Sequence, residues 1–280
     1  MDKVKKVWLV TGASKGLGAS LVKKLLKQEF RVVATSRNIQ ALTNEFGAIS
    51  DTFLPLEVSL SDSENVKEAI AKIIAHFGQL DIIVNNAGFG QIGTLKELTD
   101  EEARSSFDIH VFGSLNIIRH AMPHLRKNES GHIFNISSIG GFSRGYASWG
   151  IYCATKFAVA GFTESLAAEV KGFGMNATVV YPGYFRTDFL AKGSVKTPLN
   201  TIDAYKSARQ SEQAHMNDIN RSQPNDPEKA ADVLIAISKE SDPPVHFFLG
   251  NDAYDVVYEK VNLITNQVEQ WKSQTLSTSL

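Results

Sequence analysis

Cysteine is nearly absent from the 280 residues: Cys153 stands alone, so no intrachain disulfide and no thiolate metal cluster can form. An excess of either charge is missing too. With 29 Lys and Arg against 30 Asp and Glu, the net charge of -1 leaves no electrostatic footprint for nucleic acid or an anionic membrane. Long hydrophobic runs are lacking, and none approaches the roughly 18 apolar residues a membrane span requires. The basic start, Met1 to Lys6, leads into an apolar run that stops at Val10, too short for a secretory signal. Neither end carries a lipidation motif. No linker, internal repeat or low-complexity tract divides the chain. These absences lead to the expectation of one domain over residues 1–280, cytoplasmic, with no metal, no membrane and a small-molecule partner.

What is present is globular in kind, 43% apolar and 21% charged. Short apolar runs alternate with helical patterns. Val7 to Val10, Val32 to Ala34, Phe53 to Leu56, Ile82 to Val84, Ile133 to Ile136 and Ala177 to Val180 are continuous rather than alternating, as parallel strands covered on both faces require. Between them, Val66, Ala69, Ile70, Ile73, Ile74 and Phe77 mark one helix face, whose start at Ser61-Asp62-Ser63-Glu64 fits a capping box. Thr99-Asp100-Glu101-Glu102 opens another helix in the same way. After Phe185 the pattern changes: Thr187 to Asn225 is polar and reads as a lid over one rim, with a helical stretch near Ile202 to Asn220. A helix from Pro227 to Lys239, a strand from Val245 to Leu249 and a helix from Ala253 to Trp271 complete the pattern, with Ser273 to Leu280 read as frayed. The order predicts an α/β fold, a single doubly wound (Rossmann) parallel sheet of about seven strands with a C-terminal lid and helix.

The motifs fall where such a sheet binds ligands, beyond the carboxyl ends of its strands. Thr11-Gly12-Ala13-Ser14-Lys15-Gly16-Leu17-Gly18 joins a strand to a helix, so its glycines allow a tight turn and a helix N-terminus open to a diphosphate. It lacks the Gly-Lys-Ser or Gly-Lys-Thr ending of a P-loop, which argues against a nucleotide hydrolase. The second strand ends at Ser36-Arg37-Asn38, without the carboxylate that would repel a 2′-phosphate. Arg37 offers a planar fork for that phosphate and Lys15 a second cation, so NADP(H) is expected in preference to NAD(H).

Tyr152 precedes Lys156 by one helical turn, with Ser137 and Ser138 upstream. Hydride arriving at a carbonyl carbon leaves charge on oxygen, and a phenol can supply the proton. Lowering its pKa from about 10 by 2 to 3 units requires roughly 3 to 4 kcal/mol, which a lysine at i+4 can provide. Ser138 would steady the substrate oxygen.

These residues together resemble the short-chain dehydrogenase/reductase family, in its subset with the Gly-x-x-x-Gly-x-Gly turn, over about residues 5 to 190. The epimerase-like branch spaces its glycines differently. The resemblance implies catalytic roles for Ser138, Tyr152 and Lys156, with Lys156 also holding the nicotinamide ribose. It implies cofactor contacts at Gly12, Ser14, Lys15, Gly16, Leu17, Gly18, Arg37, Val58, Asn86, Ala87, Gly88, Pro182, Gly183 and Thr187, besides Tyr152 and Lys156. Glu57 stands where the family commonly has Asp beside the adenine. His110 replaces the family's Asn, and two readings stay open: a proton relay whose charge changes near pH 6 to 7, or a buried, hydrogen-bonded histidine. Thirteen residues, Ile139 to Ile151, separate Ser138 from Tyr152, about one more than is usual in the family. The implied activity is an NADP-dependent carbonyl reductase interconverting a ketone or aldehyde and an alcohol. Phe89, Phe142, Tyr146, Trp149, Tyr184, Phe185 and Phe189 suggest an apolar or aromatic pocket. The rival reading is a nonenzymatic NADP(H)-binding sensor. A homodimer is expected, with a tetramer left open.

Overall fold

The computed structural model describes residues 5–143 and 145–280, so the first four residues of the basic start lie outside the described part. A seven-stranded parallel sheet forms from β1 (Val7–Val10), β2 (Arg31–Ser36), β3 (Phe53–Glu57), β4 (Ile82–Asn85), β6 (Gly131–Ile136), β7 (Met175–Pro182) and β9 (His246–Leu249). Their order across the sheet is β3-β2-β1-β4-β6-β7-β9. Pro55 has no N–H to give a neighbour, and it sits in β3, where the sheet ends.

Both faces are covered, which is why the strands read as continuous apolar runs. On one side α3 (Ser63–Phe77), α5 (Gly113–Lys127) and α6 (Gly150–Val170) bury Ile73, Ile117, Leu125 and Leu166 against Leu9, Ile83 and Ile133. On the other, α1 (Gly16–Lys27), α2 (Ile39–Phe46) and α8 (Pro227–Ile237) pack Val22, Leu25, Leu42 and Leu234 against Trp8, Val32 and Phe134. Truncating any one of these to Ala is expected to cost roughly 2 to 5 kcal/mol. The order of strands reverses between β1 and β4, and the crevice of such a sheet opens at that point.

Two local expectations need correction. The capping box at Ser61 and Glu64 does not form; Asp62 caps α3, its carboxylate accepting from Glu64 and Asn65 N–H. A carboxylate satisfies two orphan donors and complements the helix dipole, so it displaces the hydroxyl one residue earlier. The tail read as frayed forms α10 (Lys272–Leu276), which follows α9 (Asn251–Gln270). The Thr99–Glu102 box does form, opening α4 (Asp100–Phe107).

The excursion after β7 contains α7 (Lys206–Gln213), continued by a π-turn over Ala214–Ile219. It also contributes β8 (Val195–Lys196), which pairs in parallel with β5 (Gly90–Gln91) to make a second, two-stranded sheet. Glu97 fastens α7 to the body. Its buried carboxylate accepts from Ile202 N–H at 2.8 Å, Thr94 N–H at 2.9 Å and both oxygens from Arg209 Nη2 at 3.0 and 2.8 Å. Burial pushes this carboxyl up, but the N–H groups of Ile202 and Thr94 and the Arg209 guanidinium outweigh it and hold it below its ordinary range.

Candidate active site

One cleft of about 530 Å³ runs across the carboxyl ends of the strands. It brings together Gly12, Ser14, Lys15, Gly16, Leu17, Arg37, Val58, Asn86, Ala87, Gly88, Ser138, Tyr152, Lys156, Pro182, Gly183 and Thr187, from segments far apart in the chain. Gly18, Glu57 and His110 do not line it. Gly18 lies beneath the turn, where a Cβ would come within 2.6 Å of Asn86 Nδ2. Glu57 is exposed at the end of β3.

The glycine turn fits a dinucleotide phosphate. Gly12 and Gly16 hold φ of +64° and +62°, and a Cβ on Gly12 would meet Ala87 Cα at 2.6 Å. No side chain caps α1 and its first turn holds no acid, so its leading N–H groups stay open towards the cleft. Asn86 braces the turn by donating Nδ2–H to Thr11 O (2.9 Å) and Gly12 O (3.2 Å). Thr11 Oγ1 in turn accepts from the N–H groups of Asn86 and Ala87. Lys15 Nζ reaches across to donate to Ser194 Oγ at 2.5 Å, closing one end of the cleft.

At the other end, α6 carries Tyr152 and Lys156 on one face. Ser137 and Ser138 are separated by geometry: Ser137 Oγ donates to Lys156 O at 2.7 Å, tying α6 to β6, whereas Ser138 hydrogen-bonds the Tyr152 phenol. Lys156 Nζ lies 5.7 Å from the Tyr152 ring centroid and donates to Ile136 O at 2.9 Å. Burial lowers the Lys156 pKa to about 8. Burial also pushes the Tyr152 phenol well above its ordinary range; the Ser138 hydrogen bond opposes this and Cys153 adds to it. Desolvation of the anion thus opposes the acidification expected of this phenol.

His110 sits on a π-turn (Asp108–Phe112) between α4 and α5, a local widening of the helix that recurs at functional sites. Its Nε2 accepts from Phe89 N–H at 3.0 Å, and Nδ1 faces Thr155 Oγ1 at 2.9 Å. Thr155 gives its own hydrogen to Tyr152 O, so Nδ1 is the donor in that pair. Both ring nitrogens are thus engaged. Burial, with Lys156 nearby, pushes the imidazole well below its ordinary range, which works against the charge change expected near pH 6 to 7.

Beyond Tyr152 the cleft is walled by Phe89, Tyr146, Trp149, Tyr184, Phe185 and Phe189. Phe142 is not among them; it packs on Tyr181 and Phe248, away from the cleft. Sequence reasoning missed His215, which the π-turn after α7 brings into this wall. Its Nε2 accepts from Tyr184 OH at 2.9 Å and its Nδ1–H donates to Ser211 O at 2.7 Å. No local signal marks it, because its partner is 31 residues distant. Ser36, Ser194 and Gln223 also line the cleft without a motif to announce them.

Residues 6–197 match the family model described as short chain dehydrogenase. Over nearly its whole length the chain is similar to Oxidoreductase BOA17 of Botryotinia fuckeliana, 28% identical over 98% of this chain and 99% of that protein. Among solved structures, a short-chain dehydrogenase from Streptomyces avermitilis superposes with a TM-score of 0.91 at 32% identity, covering 100% of both chains. ElxO, solved with NADP bound, superposes with a TM-score of 0.71 at 26% identity, over 88% of this chain and 96% of that one.

Proposed function

This chain belongs to the short chain dehydrogenase family, and we propose that it is an NADP(H)-dependent oxidoreductase interconverting a ketone or aldehyde and an alcohol. The observation that carries the proposal is the convergence of Ser138, Tyr152 and Lys156 on a cleft continuous with an uncapped helix N-terminus and Arg37. A nicotinamide dinucleotide bound there supplies or accepts the hydride. The remaining chemistry belongs to side chains. Ser138 and Tyr152 hold the carbonyl oxygen, and the neutral phenol delivers its proton as negative charge builds there. The Lys156 ammonium stabilises the phenolate that results. His110 is read as a positioning residue: through Thr155 it fixes the carbonyl end of Tyr152, and through Phe89 it sets the cleft wall.

NADP(H) is preferred in this reading because Arg37 lines the cleft while the nearest acid of the neighbouring strand, Glu57, does not. Residues 187–225 act as the lid, and the aromatic wall suits an apolar or aromatic substrate. A panel of ketones and alcohols followed by NADPH and NADH absorbance tests the reading. Tyr152→Phe should lose about 10²–10⁴-fold in turnover while binding cofactor normally. A panel without turnover, or a fully active phenylalanine variant, would overturn it.

A further inference from the structure

Helix α9 leaves the body of the protein uncovered. Of its 20 residues only Ala253 is buried, and every residue from Val261 onward is exposed. A polar helix would tolerate this, but α9 carries Tyr254, Val257, Val261, Ile264 and Val268, and its C-cap is Trp271; together they recur at alternating spacings of three and four. That is the a/d pattern of a coiled coil, sustained over about two and a half heptads. Tyr254, Val261, Ile264, Val268 and Trp271 are 60%, 47%, 45%, 54% and 56% exposed. Val257 is half-buried and marks where the stripe meets the body. The two aromatics alone expose on the order of 200 Å². With the aliphatic positions between them, the stripe reaches the few hundred Å² that mark an interaction site.

We propose that this stripe is an interface between two copies of this chain, paired as antiparallel α9 helices about a two-fold axis between residues 262 and 263. Reversal about that axis sets Tyr254 against Trp271, Val257 against Val268 and Val261 against Ile264, so all six positions find partners and none is left over. Such self-complementarity is what an isologous contact demands. The helix dipoles select the same orientation, since antiparallel pairing opposes them and parallel pairing aligns them. Antiparallel pairing also sends the two bodies to opposite ends of a helix about 30 Å long. A lipid surface fits poorly, because residues 251–272 hold four acids and only two lysines where an interfacial helix is rich in basic residues.

The full chain and its Val261→Asp/Val268→Asp variant are to be compared by light scattering at micromolar concentrations, with circular dichroism to confirm the fold. The substituted positions are exposed and lie far from the cleft. The expected result is a twofold fall in mass, whether from dimer to monomer or from tetramer to dimer through a second interface. Orientation is read separately by mixing Tyr254→Cys and Trp271→Cys proteins under mild oxidation. Cross-links should form between the two variants and not within either alone. An unchanged mass in the aspartate variant, cross-linking only within the Trp271→Cys protein, or a monomeric chain that floats with anionic phosphatidylserine vesicles would each overturn the proposal.

Discussion

Lys156 provides the sharpest test of how burial governs this site, because it should drive activity and stability in opposite directions. Its ammonium is buried, donates to a single carbonyl and faces no carboxylate partner, which brings its pKa from 10.5 to about 8. It is then about nine-tenths charged at pH 7 and about one-tenth charged at pH 9. Because kcat/KM reports the free enzyme, its value for ketone reduction should be level below pH 7 and fall about tenfold per unit above pH 8. Arginine stays charged throughout that range, so Lys156→Arg, though slower, should lose this limb. Stability should move the other way. Between about pH 8 and 10.5 the unfolded chain holds the lysine proton and the folded chain does not, so stability rises with pH, by about 1 kcal/mol from pH 7 to 9. Urea denaturation of the wild type, with Lys156→Met as the reference that cancels other groups, measures this. A flat kcat/KM between pH 7 and 9.5, or an unchanged limb in Lys156→Arg, would show that the Lys156 charge does not govern turnover.

Arg37→Ala should weaken NADPH binding by about 10- to 100-fold and leave NADH binding nearly unchanged, as judged by fluorescence titration, since a charge-assisted hydrogen bond contributes roughly 1.5 to 3 kcal/mol. His110→Asn should leave the pH profile of turnover between 6 and 7 unaltered, whereas His110→Ala, which strands the Phe89 N–H, should cost about 2 to 4 kcal/mol in urea denaturation. Acid should destabilise the fold through its buried histidines. His132 falls to about 3 on burial, so stability present above pH 6.5 is lost on acidification, by about 2 kcal/mol at pH 5, and His132→Gln should shrink that drop. Glu97→Ala should cost roughly 2 to 4 kcal/mol by leaving the N–H groups of Thr94 and Ile202 without their acceptor, and should raise KM more than it lowers kcat.

The main sheet was legible because its strands, the edge strand β9 apart, are buried on both faces and so leave continuous apolar runs. The glycine turn and the Tyr152 helix were legible because their chemistry is local, within a few residues. What escaped was made by distant pairing. Gly90–Gln91 and Val195–Lys196 carry no period of their own and become strands only through one another. The same holds for Glu97 with Arg209, Lys15 with Ser194 and Tyr184 with His215, none of which has a sequence signature. Phe142 was misplaced because an aromatic residue near a strand end can point to either side of the sheet. For His110 the position was visible, but its partners Phe89 and Thr155, which decide its charge, were not.

The small β5–β8 ladder has a practical corollary for anyone recombining these enzymes. Gly90 follows Phe89, whose N–H holds the His110 ring, and it pairs with Val195 at the far side of the sequence. A chimaera that imports a foreign segment between 187 and 225 therefore has to reproduce the Val195 and Lys196 register. A one-residue slip there would be transmitted along that short ribbon to the wall beside Tyr152, and a change meant to alter substrate choice would disable turnover instead.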